Sequence, residues 1–158
     1  MTDQKLAAAK FWNNNPLFTG EAFLDHHDPE RFFNQHDKTV FSDVLYGVSI
    51  EKIFYTPEQN DSVLDLGCGI GFWSSLFLRK YKVRNLLAGD LSEESLRITK
   101  IRCPEVMTQK IDAENIPYQD GHFDFINCQG VIHHTPDTQQ SLNEIYRVLR
   151  PGGRASVS

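Results

Sequence analysis

The pattern of apolar and polar positions changes near residue 62. From there on, short apolar runs alternate with segments in which apolar residues recur every three or four positions. The short runs predict five strands, over residues 63–67, 85–90, 106–112, 123–128 and 154–158. The segments between them predict helices over 72–81, from Ser92 and over 137–150. Strands and helices that alternate at this spacing predict an α/β fold, with a doubly wound, Rossmann-like parallel sheet.

The first 61 residues lack this alternation and are predicted to form a helical cap on a core of residues 62–158. A short helix is predicted over residues 3–12, and Asp28-Pro29-Glu30 is a good helix start. The segment over 17–28 is predicted to be irregular. A longer helix is predicted over about 38–54, because its apolar residues mostly follow the spacing of one helix face. These residues are Val40, Phe41, Val44, Leu45, Val48 and Ile53.

Composition narrows the class of protein. The 158 residues carry a net charge of −5 and no basic stripe, which argues against a nucleic-acid partner. No apolar run approaches the length of a membrane span, and no signal-peptide core is present. The three cysteines are widely spaced, which argues against a disulfide framework or a zinc site and favours a cytoplasmic protein.

A glycine turn follows the first predicted strand. Gly67, Gly69 and Gly71 stand at alternate positions between that strand and a helix, an arrangement that brings bare backbone close to a small ligand. The turn lacks the Lys-Ser/Thr pair of a phosphate-binding loop, and its third glycine comes one position early for a dinucleotide fingerprint. A plain strand-to-helix connection is the alternative interpretation.

Three acids near the strand ends indicate which ligand this turn serves. Asp90 can accept both hydroxyls of a ribose, although an acid there could also act only as a helix cap. Asp112 can accept a hydrogen bond from an exocyclic amine such as that of adenine. Asp65 would repel a pyrophosphate and favour a ligand with a sulfonium and an α-amino group. A nicotinamide-dependent dehydrogenase is therefore the less favoured hypothesis.

Six motifs in this order resemble those of the class I S-adenosylmethionine-dependent methyltransferases. The resemblance covers Ser62 to Ser158 and is closest to the small-molecule group that includes the quinone-biosynthesis enzymes. The motifs lie at residues 63–71, 89–92, 111–114, 117–124, 133–137 and 147–153. The family's sheet normally has seven strands, and the last two are absent from this chain.

The resemblance implies a role for each matching residue. S-adenosylmethionine would be the cofactor, with Asp65 and the backbone of Gly67, Cys68 and Gly69 along its methionine part and Gly71 completing the turn. Asp90 would hold the ribose, and Leu91 would pack on the adenine face. Asp112 and Ala113 would meet the adenine edge. Gln129 would sit beside the methionine part and the reacting methyl group.

The sequence indicates less clearly which residues would contact the molecule that accepts the methyl group. His133 and His134 are candidate catalytic bases, or residues that merely pack beneath a loop. Phe11 and Trp12 could form a lid over the cofactor or anchor the first helix. No metal site is expected, because His26, His27 and His36 do not have ligand spacing. The cap is rich in aromatic residues that would suit a small apolar or aromatic acceptor: Phe11, Trp12, Phe18, Phe23, Phe32, Phe33, Phe41 and Tyr46.

The last predicted strand raises a second hypothesis. A fifth strand with an uncovered edge invites pairing with another chain, either a second copy or a partner. Methyl transfer to a small acceptor is the first hypothesis. The alternative is a non-catalytic cofactor-binding or interaction module, for instance a fragment of a longer methyltransferase.

Overall fold

A computed structural model describes residues 3–15 and 28–158. Within these ranges, five parallel strands form one sheet in the order β3-β2-β1-β4-β5. The strands are β1 Ser62–Leu66, β2 Asn85–Asp90, β3 Met107–Lys110, β4 Phe123–Cys128 and β5 Leu149–Val157. The helices are α1 Asp3–Asn14, α2 Pro29–Thr39, α3 Phe72–Arg79, α4 Glu93–Arg102 and α5 Thr138–Val148. The predicted Rossmann-like α/β fold is confirmed.

The two faces of the sheet bury two separate apolar clusters. Side chains alternate along β1, so Val63 packs with Phe77 of α3, whereas Leu64 packs with Ile145 of α5. Parallel strands buried on both faces explain why the strands read as short continuous apolar runs. The two layers of helices leave the carboxyl ends of the strands together at one edge of the sheet.

Helix starts in the sequence are used as caps in the structure. Asp28 accepts a hydrogen bond from the Arg31 amide at 2.9 Å, immediately before Pro29 opens α2. Ser92 accepts one from the Ser95 amide at 3.1 Å, and Asp137 caps α5 in the same way. These caps place the three helix starts to within one residue of their predicted positions.

The predicted helix over 38–54 is wrong. Helix α2 continues into a π-helical turn at Val40–Val44, and a separate 3-10 turn forms at Ile50–Lys52. Tyr46 and Gly47 both have positive φ angles, 49° and 67°, and this left-handed backbone ends the helix. Val48 and Ile53, assigned to the buried face, are exposed, whereas Leu45 is buried.

The helix predicted to end at Pro151-Gly152-Gly153 ends earlier, at Val148. Leu149 already pairs with Phe123, and the Pro-Gly-Gly segment lies in a register shift before Arg154 pairs with Phe125. Strand β5 therefore begins five residues sooner than predicted. The irregular segment predicted over 17–28 lies, up to His27, outside the described residues. No described helix is long and apolar enough to cross a membrane.

Candidate cofactor and acceptor site

The turn after β1 has the backbone that its glycines predict. Gly67, Gly69 and Gly71 have φ angles of 73°, 54° and 77°, a left-handed conformation that other residues adopt at a cost. A Cβ atom on Gly67 would lie 2.2 Å from a Val131 methyl carbon. A Cβ atom on Gly69 would meet nothing within 4 Å, so this backbone faces open space. Gly67 therefore serves packing, and Gly69 leaves room for a ligand.

A cavity of about 490 Å³ opens at the carboxyl edge of the sheet. Its walls come from the glycine turn, from the segments that follow β2, β3 and β4, and from α1 and α2. Ten of the sequence-predicted site residues line it: Gly67, Cys68, Gly69, Asp90, Leu91, Asp112, Ala113, Gln129, His133 and His134. The volume lies within the usual range for small-molecule sites.

Two of the predicted site residues, Asp65 and Gly71, do not line the cavity. Gly71 packs against Thr99 of α4, where a Cβ atom would come within 3.0 Å of the hydroxyl oxygen. Asp65 is 1 % exposed and accepts hydrogen bonds from the Ser74 hydroxyl at 2.6 Å and the Asn127 amide at 2.9 Å. Its charge can act on a ligand through the turn, but its carboxylate is not part of the wall.

Burial is the main cause of the raised pKa of Asp65. Burial raises the pKa of this carboxyl to about 6, and the hydrogen bonds from Ser74 and Asn127 only partly oppose that rise. The nearby carboxyl of Asp90 raises the Asp65 pKa further. A positive charge in the cavity would favour the ionised form of both acids.

Asp90 lies at the end of β2 and braces the glycine turn. One carboxylate oxygen accepts a hydrogen bond from the Gly69 amide at 2.9 Å, and the other accepts one from the Ser92 amide at 2.8 Å. Burial raises the pKa of Asp90, while these backbone donors lower it. Since Ser92 itself caps α4, Asp90 is not needed as the cap, and its carboxylate contributes to the cavity wall.

Asp112 lies two residues beyond β3 and is held by α1. The Lys5 ammonium group lies 2.6 Å from Asp112 Oδ2 and 2.7 Å from Glu114 Oε2. Asp112 Oδ1 accepts a hydrogen bond from the Glu114 amide at 3.0 Å. Asn13, near the other end of α1, accepts a hydrogen bond from the Ser92 hydroxyl at 2.8 Å. Helix α1 is thus attached at both ends to segments that line the cavity.

The side chains after β4 form the rest of the wall. The Gln129 amide donates a hydrogen bond to the Ser156 hydroxyl at 2.9 Å, which joins this wall to β5. His133 and His134 lie on a 3-10 turn, Ile132–His134, with their ring centres 4.0 Å apart. Burial, together with the neighbouring His133, lowers the pKa of His134, which favours its neutral imidazole.

The structure distributes the cap aromatics differently from the prediction. Trp12 lines the cavity, 5.0 Å from the His134 ring. Phe32 and Phe33 instead pack in a cluster with Ile70 and Ile98. Three others do not line the cavity: Phe11, Phe41 and Tyr46. Phe18 and Phe23, like His26 and His27, lie outside the described residues.

Lys5, His36 and Trp73 are among the cavity residues that were not assigned to the site from the sequence. Lys5 and His36 belong to helices far from the strand ends in sequence, and no local motif marks them. Trp73 is the second residue of α3, two positions after Gly71, and its apolar character alone predicts a packing role. Among residues 3–15 and 28–158, no group of three or more His, Cys, Asp or Glu side chains could hold a metal ion.

The family profile described as "Methyltransferase domain" matches residues 64–157, which include the glycine turn and all five strand ends. The chain belongs to the methyltransferase domain family. A curated demethylmenaquinone methyltransferase of Lactococcus lactis is 35 % identical over 99 residues, which cover 59 % of this chain and 39 % of that protein. The chain spans less than half the length of such curated relatives.

Solved methyltransferase structures share the fold. A methyltransferase of Bacillus halodurans C-125 is 28 % identical with a TM-score of 0.62, and the match covers 72 % of this chain and 49 % of that one. Geranyl diphosphate C-methyltransferase from Streptomyces coelicolor A3(2), crystallised with S-adenosyl-L-homocysteine, is 18 % identical with a TM-score of 0.71. That match covers 98 % of this methyltransferase chain and 63 % of the other.

A structure from Mesorhizobium loti with this fold, at 23 % identity and a TM-score of 0.57 over 63 % of this chain and 47 % of that one, is of a methyltransferase dependent on S-adenosylmethionine. The residues of the cavity fit S-adenosylmethionine. Gly69 leaves open space beside the turn, and two carboxylates line the cavity, Asp90 at the end of β2 and Asp112 two residues after β3. The absence of a lysine from the glycine turn and the acidic surroundings suit a cationic ligand better than a pyrophosphate.

Proposed function

We propose that this methyltransferase transfers a methyl group from S-adenosylmethionine to a small acceptor with an apolar or aromatic body. The observation that carries the proposal is the cavity itself, where the glycine turn, Asp90 and Asp112 line one space with Trp12, Trp73 and the His pair. The relatives named as demethylmenaquinone methyltransferases support an apolar acceptor of the quinone type.

The cofactor residues have the roles that their positions favour. Asp90 would accept hydrogen bonds from the ribose, and Asp112 and Ala113 would meet the adenine edge, with Leu91 against its face. The backbone of Gly67, Cys68 and Gly69 would follow the methionine part, and Gln129 would flank the reacting methyl group. Asp65 would act through its charge from beneath the turn. Gly71 would act by holding the turn against α4.

The cofactor supplies a methyl group already activated by the positive charge on sulfur. The chain therefore has to bind, align and exclude water, which alone lowers the barrier substantially. Any proton lost by the acceptor needs a base within reach, and His133 and His134 are proposed for that task. His134 is suited to it because its lowered pKa favours the neutral ring, which can accept a proton.

The free edge of β5 favours one alternative. Strand β5 pairs with β4 on one side, and no described strand pairs with its other side. Further chain, a second copy or a partner could cover this edge and complete the acceptor wall. In that case residues 1–158 would be a cofactor-binding module, with residues 1–61 as its cap and 62–158 as its core.

A binding assay run beside a methylation assay separates the two proposals. Calorimetry with S-adenosylhomocysteine tests the cofactor site, and incubation with radiolabelled S-adenosylmethionine and a panel of phenols and naphthols tests transfer. Binding with turnover supports the enzyme, whereas binding without turnover on every acceptor supports the module. The three free, buried cysteines are consistent with our proposal of a cytoplasmic location.

A further inference from the structure

His36 is a polar residue of the cavity wall that comes from the cap rather than from the sheet. It lies on α2 and lines the same cavity as His133 and His134. Its side chain is 18 % exposed, and its ring lies 6.0 Å from the ring of Phe72, next to the cavity residue Trp73. It is thus an imidazole in an otherwise aromatic part of the wall.

The two ring nitrogens of His36 differ in environment. Nδ1 is buried and makes no hydrogen bond with any described residue. It lies 3.6 Å from Asp37 Oδ1, which is longer than a hydrogen bond but within range of charge attraction. Because Nδ1 is enclosed, Nε2 is the ring nitrogen that can reach a ligand in the cavity.

Asp37 is held in place and ionised by a buried arginine. Arg102 is ion-paired with Asp37, and its side chain is 1 % exposed. The guanidinium group packs over the rings of Phe33, at 5.0 Å, and Phe72, at 5.7 Å. Burial raises the pKa of Asp37, but His36 and Arg102 outweigh this effect, and the pKa is lowered below its usual value.

An anion beside Nδ1 determines which tautomer the imidazole adopts. A proton on Nδ1 points at the Asp37 carboxylate, whereas a bare Nδ1 would set its lone pair against a negative charge. In the neutral imidazole with its proton on Nδ1, Nε2 carries no proton and acts only as a hydrogen-bond acceptor. Contacts of this kind are often long without substrate and shorten when it binds.

We propose that His36 is a specificity-determining residue that selects acceptors with a hydroxyl group on an aromatic ring, through a hydrogen bond from that hydroxyl to Nε2. Asp37 and Arg102 are positioning residues that hold the required tautomer. An ether or carbonyl at the same place has no proton to donate and would leave Nε2 unpaired. This inference rests on the proposed function and adds the chemical class of the acceptor.

The test compares two ligands that differ only at this group. Protein loaded with S-adenosylhomocysteine is titrated with 2-naphthol and with 2-methoxynaphthalene, and binding is followed by calorimetry and by quenching of tryptophan fluorescence. Wild-type protein is expected to bind 2-naphthol about ten-fold more tightly, the usual worth of one hydrogen bond of this kind. His36→Phe is expected to bind both ligands equally.

Two variants separate specificity from folding. His36→Gln presents an amide oxygen that can accept the same hydrogen bond, so the preference for 2-naphthol should largely return. His122→Phe is the matched control, because His122 is exposed beside Tyr118 and Phe123 and does not line the cavity. It should keep the full preference. Each variant is first checked for unchanged binding of S-adenosylhomocysteine.

The outcomes distinguish this inference from the proposed function. Loss of S-adenosylhomocysteine binding in wild-type protein contradicts the proposed function itself. If S-adenosylhomocysteine binds, then failure to bind 2-naphthol, equal binding of the two ligands, or a preference that survives in His36→Phe overturns the role of His36.

Discussion

Lys5 and Asp112 are separated by 107 positions in the chain, yet the Lys5 ammonium lies 2.6 Å from the Asp112 carboxylate. This contact joins the first helix to the segment after β3, at the part of the cavity proposed for the adenine. Glu114 accepts the same ammonium at 2.7 Å and also a hydrogen bond from the Asp137 amide at 2.9 Å. The three contacts connect α1, β3 and the start of α5.

Replacing Lys5 by methionine should weaken this junction. Burial lowers the pKa of Lys5, but Asp112 and Glu114 outweigh it and raise the pKa, so the ammonium form stabilises the fold until the pH rises through that raised value. Lys5→Met leaves two carboxylates close together and should lower the free energy of unfolding by about 1 kcal/mol, since the group is partly exposed. Urea denaturation at pH 7.5 measures this loss.

Lys10→Met is the matched control, because Lys10 is an exposed lysine on the same helix. It should change the free energy of unfolding by less than about 0.5 kcal/mol. Equal effects of the two substitutions would show that the Lys5 junction contributes nothing specific.

Asp90→Asn should weaken S-adenosylhomocysteine binding. An asparagine at this position retains one acceptor oxygen, whereas the aspartate serves both the Gly69 and the Ser92 amides. A charge-assisted hydrogen bond is worth about 1.5–3 kcal/mol, so affinity should fall about ten-fold or more. Calorimetry measures the affinity for S-adenosylhomocysteine. Glu105→Gln is the control, because Glu105 is an exposed acid before β3. Unchanged affinity in Asp90→Asn would exclude the ribose role.

Asp65 should make the stability depend on pH in a defined direction. Its pKa of about 6 lies above the ordinary value of 3.8, so the folded state binds more protons between these two pH values. Stability contributed by the protonated form is therefore present at low pH and is lost as the pH rises through about 6. The full difference amounts to about 3 kcal/mol.

The measurement is a series of urea denaturation curves between pH 4 and pH 8 for wild type and Asp65→Asn. Other acids titrate in both proteins, so the difference between the two curves isolates Asp65. That difference should change mainly below about pH 6 and level off above about pH 7. Parallel curves would mean that Asp65 is not perturbed by burial.

Gly67→Ala should be strongly destabilising. The new methyl group would lie 2.2 Å from a Val131 carbon, in a residue with a φ angle of 73°. Left-handed backbone costs an alanine about 1–2 kcal/mol, and overpacking adds about 1–3 kcal/mol. Adding Val131→Ala should relieve the overpacking and recover that part of the lost stability. Thermal unfolding of the single and double variants measures both effects. Gly69→Ala, with nothing within 4 Å, should lose less stability.

The sheet and ten of the cavity residues could be predicted from the sequence because both depend on local patterns. β2 and β4 have the predicted bounds, since apolar runs limited by polar residues and turns define them. The helix over 38–54 failed because helical spacing of apolar residues does not reveal which of them are buried. Gly47, with its φ angle of 67°, was the signal that a helix ends there.

The burial of Asp65 could not be predicted from its neighbours in the chain. Alternation along β1 places it on the α3 face, and its partners Ser74 and Asn127 come from α3 and β4. Likewise, Lys5 and His36 reach the cavity because α1 and α2 pack against α4. Such contacts depend on where each helix packs on the sheet, and a local pattern of apolar residues does not determine that position.

The central claim is that this cavity binds the cofactor of a methyltransferase. Calorimetric titration of the purified chain with S-adenosylhomocysteine, beside NAD under the same conditions, tests it most directly. We expect one site per chain for S-adenosylhomocysteine, weakened by Asp90→Asn, and much weaker binding of NAD. Folded protein that binds NAD more tightly, or that binds S-adenosylhomocysteine equally with and without Asp90, would contradict the claim.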